Sequence, residues 1–289
     1  MAITAEELVK RTLNVASLPS LYTKVDEAIN NDANSQYIVD IISEDTAMTA
    51  RLLKLVNSAM FNFPKKIDTV SQAIAIVGTQ QLRALILASS VMTMFKDVPE
   101  DLINMEQFWR HSVACGCTAR IIASMRREQN IEYFFLAGLL HDIGRLILFK
   151  EKPNEMNQAI EEARSQGCLL FERERELIGF DHARLGGVLL KEWKLPMQFV
   201  ETTRYHHSPG ASNDYAESVA VIHLADVITN GLQFGNSGEI FVPTLNEKAW
   251  VRLNLNDDII EGVIFELDKQ YKVAVDFILG SDVLNQQVA

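Results

Sequence analysis

Phe134-Phe135-Leu136-Ala137-Gly138-Leu139-Leu140-His141-Asp142-Ile143-Gly144-Arg145-Leu146-Ile147-Leu148-Phe149 is an apolar run with a His-Asp pair at its middle. Sixteen residues are too many for one buried strand, and the spacing predicts a helix over 131–149. A polar pair in such a run is expected to be buried. Leaving either group without a partner costs roughly 1–3 kcal/mol, more for the carboxylate. On one continuous helix the two side chains point about 100° apart, so a single ion meets both only over the ridge between them.

On either side of this run the 3.6-residue period dominates, and strand-like alternation is nearly absent. A short helix is expected over Glu6–Val15, ended by Leu18-Pro19-Ser20. Apolar stripes follow: Leu21, Val25 and Ile29; then Tyr37, Ile38, Ile41 and Ile42. Asp45 or Thr46 caps a helix carrying Met48, Leu52, Leu55, Val56 and Ala59. Val70, Ala73, Ile74 and Val77 lead to a stop at Gly78, and Thr79 opens the next helix. Val98-Pro99-Glu100-Asp101 reads as a connection between two helical subdomains. Further helices are expected near Phe108–Met125, Ala183–Trp193, Met197–His206, Glu217–Asn230, Glu247–Leu253 and Asp257–Phe277, with a Gly-bearing loop at Phe234–Pro243. The charged stretch Lys150–Glu176 reads as a solvated helix pair. The fold class is all-α.

The chain has 289 residues, 48% of them hydrophobic and 22% charged, with a net charge of −11. That length suits one large domain or two fused ones, and that composition excludes disorder. Three cysteines cannot build a disulfide scaffold, and Cys115-Gly116-Cys117 reads as small packing residues on a helix. The first residues, MAITAEELVKR, lack the apolar core of a secretory signal. The greasiest stretch, Ala84–Phe95, is short and broken by Ser89, Ser90 and Thr93. A cytoplasmic protein without a membrane segment is expected. The acidic balance argues against nucleic acid as a general partner.

The remaining polar residues repeat the His141-Asp142 problem. Asp226 lies in the apolar frame Val219–Ile228, where a carboxylate needs a cation or several donors. His182 follows Asp181, an N-cap, at the head of a helix. His206-His207 ends another helix before Ser208-Pro209. His111 lies within a helix. His223 precedes Asp226 by three residues and reads as a core residue or a support. Each of these, alone, also fits a hydrogen-bonded core residue.

Taken in order, His111, His141-Asp142, His182, His206-His207 and Asp226 resemble the ligand set of the HD superfamily of metal-dependent phosphohydrolases. Further blocks resemble the HDOD domain: Leu18-Pro19-Ser20-Leu21; Leu52-Leu53-Lys54-Leu55-Val56-Asn57-Ser58-Ala59; Ile67-Asp68-Thr69-Val70-Ser71-Gln72-Ala73-Ile74 with Gly78; Leu139–Gly144; Phe180-Asp181-His182-Ala183 with Gly186; Trp193-Lys194-Leu195-Pro196; and His206–Pro209. The resemblance covers roughly residues 14–235. It implies an HD-domain-like helical core with an N-terminal helical bundle. The expected division is 1–100 for an N-terminal subdomain, 101–235 for the histidine-bearing subdomain and 236–289 for a helical extension.

The resemblance also implies His111, His141, Asp142, His182, His206, His207 and Asp226 as ligands of one or two divalent transition-metal ions. Iron or manganese is favoured, and nickel or zinc is compatible. HD-GYP phosphodiesterases carry a Gly-Tyr-Pro loop after the double histidine, whereas here Ser208-Pro209-Gly210 follows. Arg145 stands where those enzymes place a Lys, and it is a candidate phosphate clamp. Two functions are therefore weighed: a bacterial signal-transduction module acting through a protein partner, and a metal-dependent phosphohydrolase acting on a nucleotide or other phosphoester. A third reading is a hydrogen-bonded relic without metal.

Overall fold

The computed structural model describes residues 3–12, 18–57, 65–95, 98, 102–256 and 258–278. Every regular element among these residues is helical. In chain order they are α1 (Ala5–Arg11), α2 (Ser20–Asn30), α3 (Ser35–Ser43), α4 (Thr46–Val56), α5 (Val70–Val77), α6 (Thr79–Met94), α7 (Met105–Met125), α8 (Ile131–Leu140), α9 (Ile143–Glu151), α10 (Pro153–Gln166), α11 (Leu170–Ile178), α12 (His182–Glu192), α13 (Met197–Tyr205), a 3-10 turn (Pro209–Ala211), α14 (Ala216–Leu232), α15 (Glu247–Leu253) and α16 (Asp258–Ile278). The end of the first expected helix (13–15), Ser58 and Ala59, the connection at 99–101 and the helix start at Asp257 lie outside the described residues.

The chain divides into two compact units, Leu18–Met94 with Glu266–Ala289, and Met1–Ser17 with Phe95–Phe265. In the first, α2 packs on α3 and α6, while α3, α4 and α5 pack on one another. Their ends follow local chemistry. The Asp45 carboxylate accepts from the Met48 amide at 2.8 Å to start α4, and Thr69 caps α5, which ends at Gly78 with φ +90°. Asn57 acts as a staple: its side chain accepts from the Ile67 amide at 2.7 Å and donates to the Ile67 carbonyl at 2.6 Å. Asn57→Ala removes both bonds and leaves two backbone groups beside a buried side chain without them. A loss of about 2 kcal/mol is expected. Denaturant unfolding, with amide exchange at Ile67, checks it; unchanged exchange there would refute the assignment.

The second unit holds all six histidines. Its axis is α7, buried along nearly its whole length and packed against α8 and α14. Helices α9, α12 and α13 complete the wall, and α1 packs on α12. Helices α7 and α8 meet backbone to backbone. A Cβ on Gly138 would lie 2.8 Å from the Cys115 carbonyl oxygen and from the Gly116 Cα. The Cys-Gly-Cys segment thus sits at a close helix crossing, with both cysteines free and buried.

Candidate metal centre

The helix expected over 131–149 is two helices. α8 stops at Leu140, His141 caps it, and Asp142 (φ −98°, ψ 7°) starts α9. The break is tertiary in origin. Gly144 presses on α12 so closely that a Cβ there would lie 2.1 Å from the His182 carbonyl oxygen and 2.5 Å from the Gly186 amide. The resulting turn places His141 and Asp142 at a helix junction facing the same space, which removes the ridge constraint.

The seven expected ligands converge as two adjoining groups: His111, His141 and Asp226, and Asp142, His182, His206 and His207. Asp142 faces both. Its Oδ2 is 3.4 Å from Nε2 of His141 and 3.8 Å from Nε2 of His111. Its Oδ1 is 2.9 Å from Nε2 of His182 and 3.7 Å from Nε2 of His206. Asp226 Oδ1 lies 3.3 Å from Nε2 of His111 and 3.4 Å from Nε2 of His141. His207 Nε2 reaches His182 Nε2 at 3.1 Å, and its ring stacks on Phe171.

Supporting contacts fix the rings. His141 Nδ1 lies 2.6 Å from the Gly138 carbonyl, and His206 Nδ1 lies 2.7 Å from the Thr203 carbonyl. A carbonyl only accepts, so both Nδ1 atoms carry protons and both Nε2 atoms face the carboxylates. His182 Nδ1 donates to Glu174 at 2.6 Å, and Glu174 also accepts the His182 amide at 2.8 Å. His223 Nδ1 donates to the His206 carbonyl, and its Nε2 accepts from the Asn246 amide.

Arg145 is 1% exposed. Its Nε meets Glu174 at 3.3 Å, Nη1 meets Asp142 at 3.4 Å and the Ser237 hydroxyl at 2.8 Å, and Nη2 lies 3.0 Å from Nδ1 of His182. The clamp expected of Arg145 therefore has protein groups as its partners. The loop after α14 reaches it by a close approach. Gly235 has φ +78°, and a Cβ there would lie 2.3 Å from the His111 amide. Further along, Glu239 accepts from the Leu170 amide at the start of α11.

The electrostatics follow from burial and charge in opposition. Burial would raise the pKa of Asp142, but Arg145, His141 and His182 outweigh it and hold the carboxylate well below its ordinary range. Asp226 is also held well below, its burial outweighed by His111 and His141. Burial disfavours charge on His141, yet Asp142 and its other neighbours hold it well above the ordinary value. His182 rises to about 9, because Glu174 and Asp142 outweigh burial and Arg145. Burial, then the charge of His141, pushes His206 down to about 3.

These residues fit a metal ion. Nε2 of His111, His141 and His206 are buried and have no hydrogen-bond partner, an unusual state for polar atoms inside a protein. Two ligands about 2.1 Å from one ion, at a tetrahedral angle, stand about 3.4 Å apart. The separations of His111 and His141 from Asp226 and Asp142, 3.3 to 3.8 Å, lie close to that edge.

Two supporting residues escaped the sequence reading. Glu174 lies in the stretch read as a solvated helix pair, a reading that the burial of Glu174 at 0% exposure corrects at this position. Its signal was present: Phe171, Glu174 and Ile178 share one helix face. Ser237 sits in a loop and carried no signal.

An all-helical core that gathers histidines and aspartates at a His-Asp helix junction is an HD-like domain. The chain belongs to the HDOD domain family, whose pattern matches residues 15–209. It is 26% identical over 226 residues to an uncharacterized protein of Treponema pallidum (strain Nichols). That match covers 77% of this chain and 44% of the relative, so the chain spans less than half of the relative's length. The structure resembles an HDOD domain protein with unknown function from Geobacter sulfurreducens (TM-score 0.74, 25% identity, covering 94% of this chain and 97% of that one). It also resembles a protein of Shewanella amazonensis SB2B described as a candidate phosphohydrolase (TM-score 0.73, 22% identity, 94% and 97% covered). The second likeness shows the fold alone. Among the described residues no helix is long and apolar enough to cross a membrane.

Proposed function

We propose that this chain is a regulatory HDOD protein that acts through a protein partner and carries a metal ion at its HD-type centre. The observation that carries the metal is the set of buried, partnerless imidazole nitrogens aimed at two carboxylates. The regulatory part is supported by enclosure. His111, His141, Asp142, His182, His206 and Asp226 are all buried, and Arg145 spends its donors on the protein. An enzyme of the phosphohydrolase class needs an open coordination position and a group to hold phosphate.

The second reading, a metal-dependent phosphohydrolase acting on a nucleotide or other phosphoester, is favoured by the complete His/Asp set. A divalent ion held there would polarise a phosphoester and lower the pKa of a bound water. His and carboxylate donors suit iron, manganese, nickel or zinc.

The test begins with metal content of protein purified without a His tag, beside His141→Ala. Near-stoichiometric metal is expected in the wild type and none in the variant. Chelation is expected to lower the wild-type Tm by several degrees, because an ion that binds only the folded state stabilises it. Both are then offered bis(p-nitrophenyl) phosphate and cyclic dinucleotides. Turnover lost in His141→Ala would replace the regulatory reading with the enzymatic one.

A further inference from the structure

We propose that the head of α12 is an oxyanion site built by His182 and Arg145, that the chain keeps it filled with its own Glu174, and that a more highly charged oxyanion, of the phosphate type, takes it when α11 swings away. The site stands behind His182, away from the candidate metal centre. Nε2 of His182 faces Asp142 at 2.9 Å, whereas Nδ1 faces Glu174. The inference goes beyond the metal reading and does not depend on it.

Three donors converge on the Glu174 carboxylate. One of its oxygens accepts from the His182 amide at 2.8 Å and from His182 Nδ1 at 2.6 Å. The other accepts from Nε of Arg145 at 3.3 Å. His182 is the first residue of α12, so its amide has no acceptor within the helix, and the positive end of the helix dipole lies at the same point. Arg145 adds a full charge, which it does not lose in proteins. The amide and the guanidinium donate whatever proton state His182 takes. His182, Arg145 and Glu174 are all buried, so an empty site would strand these donors away from water. The folded protein therefore needs an oxyanion there, and the oxygens of a carboxylate or of a phosphate both match such donors.

The helix that carries Glu174 is bounded by two pivots. Gly167 precedes α11 and Gly179 follows it, with φ +68° and +96°, and a Cβ built on either would meet no atom within 4 Å. Backbone rotation at both points is unobstructed. Between them α11 packs on α10. Three further contacts fasten its inner face: the Leu170 amide to Glu239, the Phe171 ring on half-buried His207, and Arg175 to Asp181. When α11 lifts, Glu174 leaves with it. The donors stay, because Arg145 belongs to α9 and His182 to α12. Tethering gives Glu174 a high effective concentration at the site. A phosphate offsets that advantage with nearly twice the charge of the carboxylate it displaces.

The full chain tests this with acetate and inorganic phosphate as probes, each compared with chloride at equal ionic strength. Glu174→Ala deletes a methylene and its carboxylate, and free acetate has that size and charge. Acetate is expected to raise the Tm of Glu174→Ala saturably, by several degrees, as a ligand of the folded state does. Acetamide, its neutral counterpart, should not. Wild type and Glu174→Gln, whose sites are filled, should not respond to acetate. In the wild type, phosphate is expected to displace Glu174. Amide exchange read by mass spectrometry should then show residues 170–178 losing protection saturably while α7 is unchanged. Glu174→Ala that gains no more from acetate than the wild type does, or α11 protection that phosphate leaves unchanged or shifts in parallel with α7, would overturn the inference and make Glu174 a fixed part of the fold. If Glu174→Ala does not fold, the wild-type exchange decides.

Discussion

Gly144→Ala is expected to cost about 3 kcal/mol or more and to strip the centre of metal. The added methyl would sit 2.1 Å from the His182 carbonyl oxygen, 2.5 Å from the Gly186 amide and 3.0 Å from the Gly186 Cα. All three are backbone atoms, so no rotamer change relieves the clash, and α9 and α12 must separate. Overpacking a tight site costs typically about 1–3 kcal/mol, and rigid backbone places this case at the upper end. Separation also moves His182, whose contacts to Glu174 and Asp142 are 2.6 and 2.9 Å long. Gly231→Ala is the control. It lies in α14 with nothing within 4 Å of a built Cβ, and alanine there should stabilise by about 0.5–1 kcal/mol. Urea unfolding and metal content of both variants check the pair. A Gly144→Ala protein with wild-type stability would mean that the two helices do not approach as described.

Gly144 also shows where the sequence stops being readable. The helical period of the flanking residues is visible in the chain, because apolar spacing records which face is buried. The break between Leu140 and Ile143 is not visible. His141 adopts ordinary right-handed backbone (φ −57°, ψ −36°), and the turn is set by packing against Gly186, far along the chain. The candidate site residues stood out for a different reason: a histidine or aspartate inside an apolar run is costly unless it is partnered, while their reading as ligands came from the resemblance of their order along the chain. Glu174 obeys the same rule and was hidden by composition. It sits in Leu170-Phe171-Glu172-Arg173-Glu174-Arg175-Glu176-Leu177-Ile178, where surrounding charges suggest solvent. Only the register with Phe171 and Ile178 places it inward. Ser237 has no such register, because loop residues carry no period.

Glu174→Ala is the second large effect, expected at about 3–5 kcal/mol. The carboxylate is fully buried and holds three donors: Nε of Arg145, and the amide and Nδ1 of His182. Removing one partner of a buried ion pair leaves the other charge uncompensated, which is why such losses exceed those at the surface. Arg145 cannot discard its charge, so the penalty falls on the fold. Glu174→Gln keeps the shape and one acceptor, so it should cost less than alanine while still weakening His182. The pH dependence separates the charge from the packing. Burial would raise the Glu174 pKa, but His182 and Arg145 outweigh it and hold it below its ordinary 4.5. A carboxylate with a lowered folded pKa stabilises above its unfolded value and loses that contribution as pH falls through the folded one. The stability gap between wild type and Glu174→Gln should therefore be full near neutrality and shrink as the pH drops below about 4.5. Unfolding curves at pH 7 and at two acid points measure it. A gap that stayed constant with pH would show that Glu174 matters for its shape alone, and a Glu174→Ala cost under about 1 kcal/mol would remove it from the support of the centre.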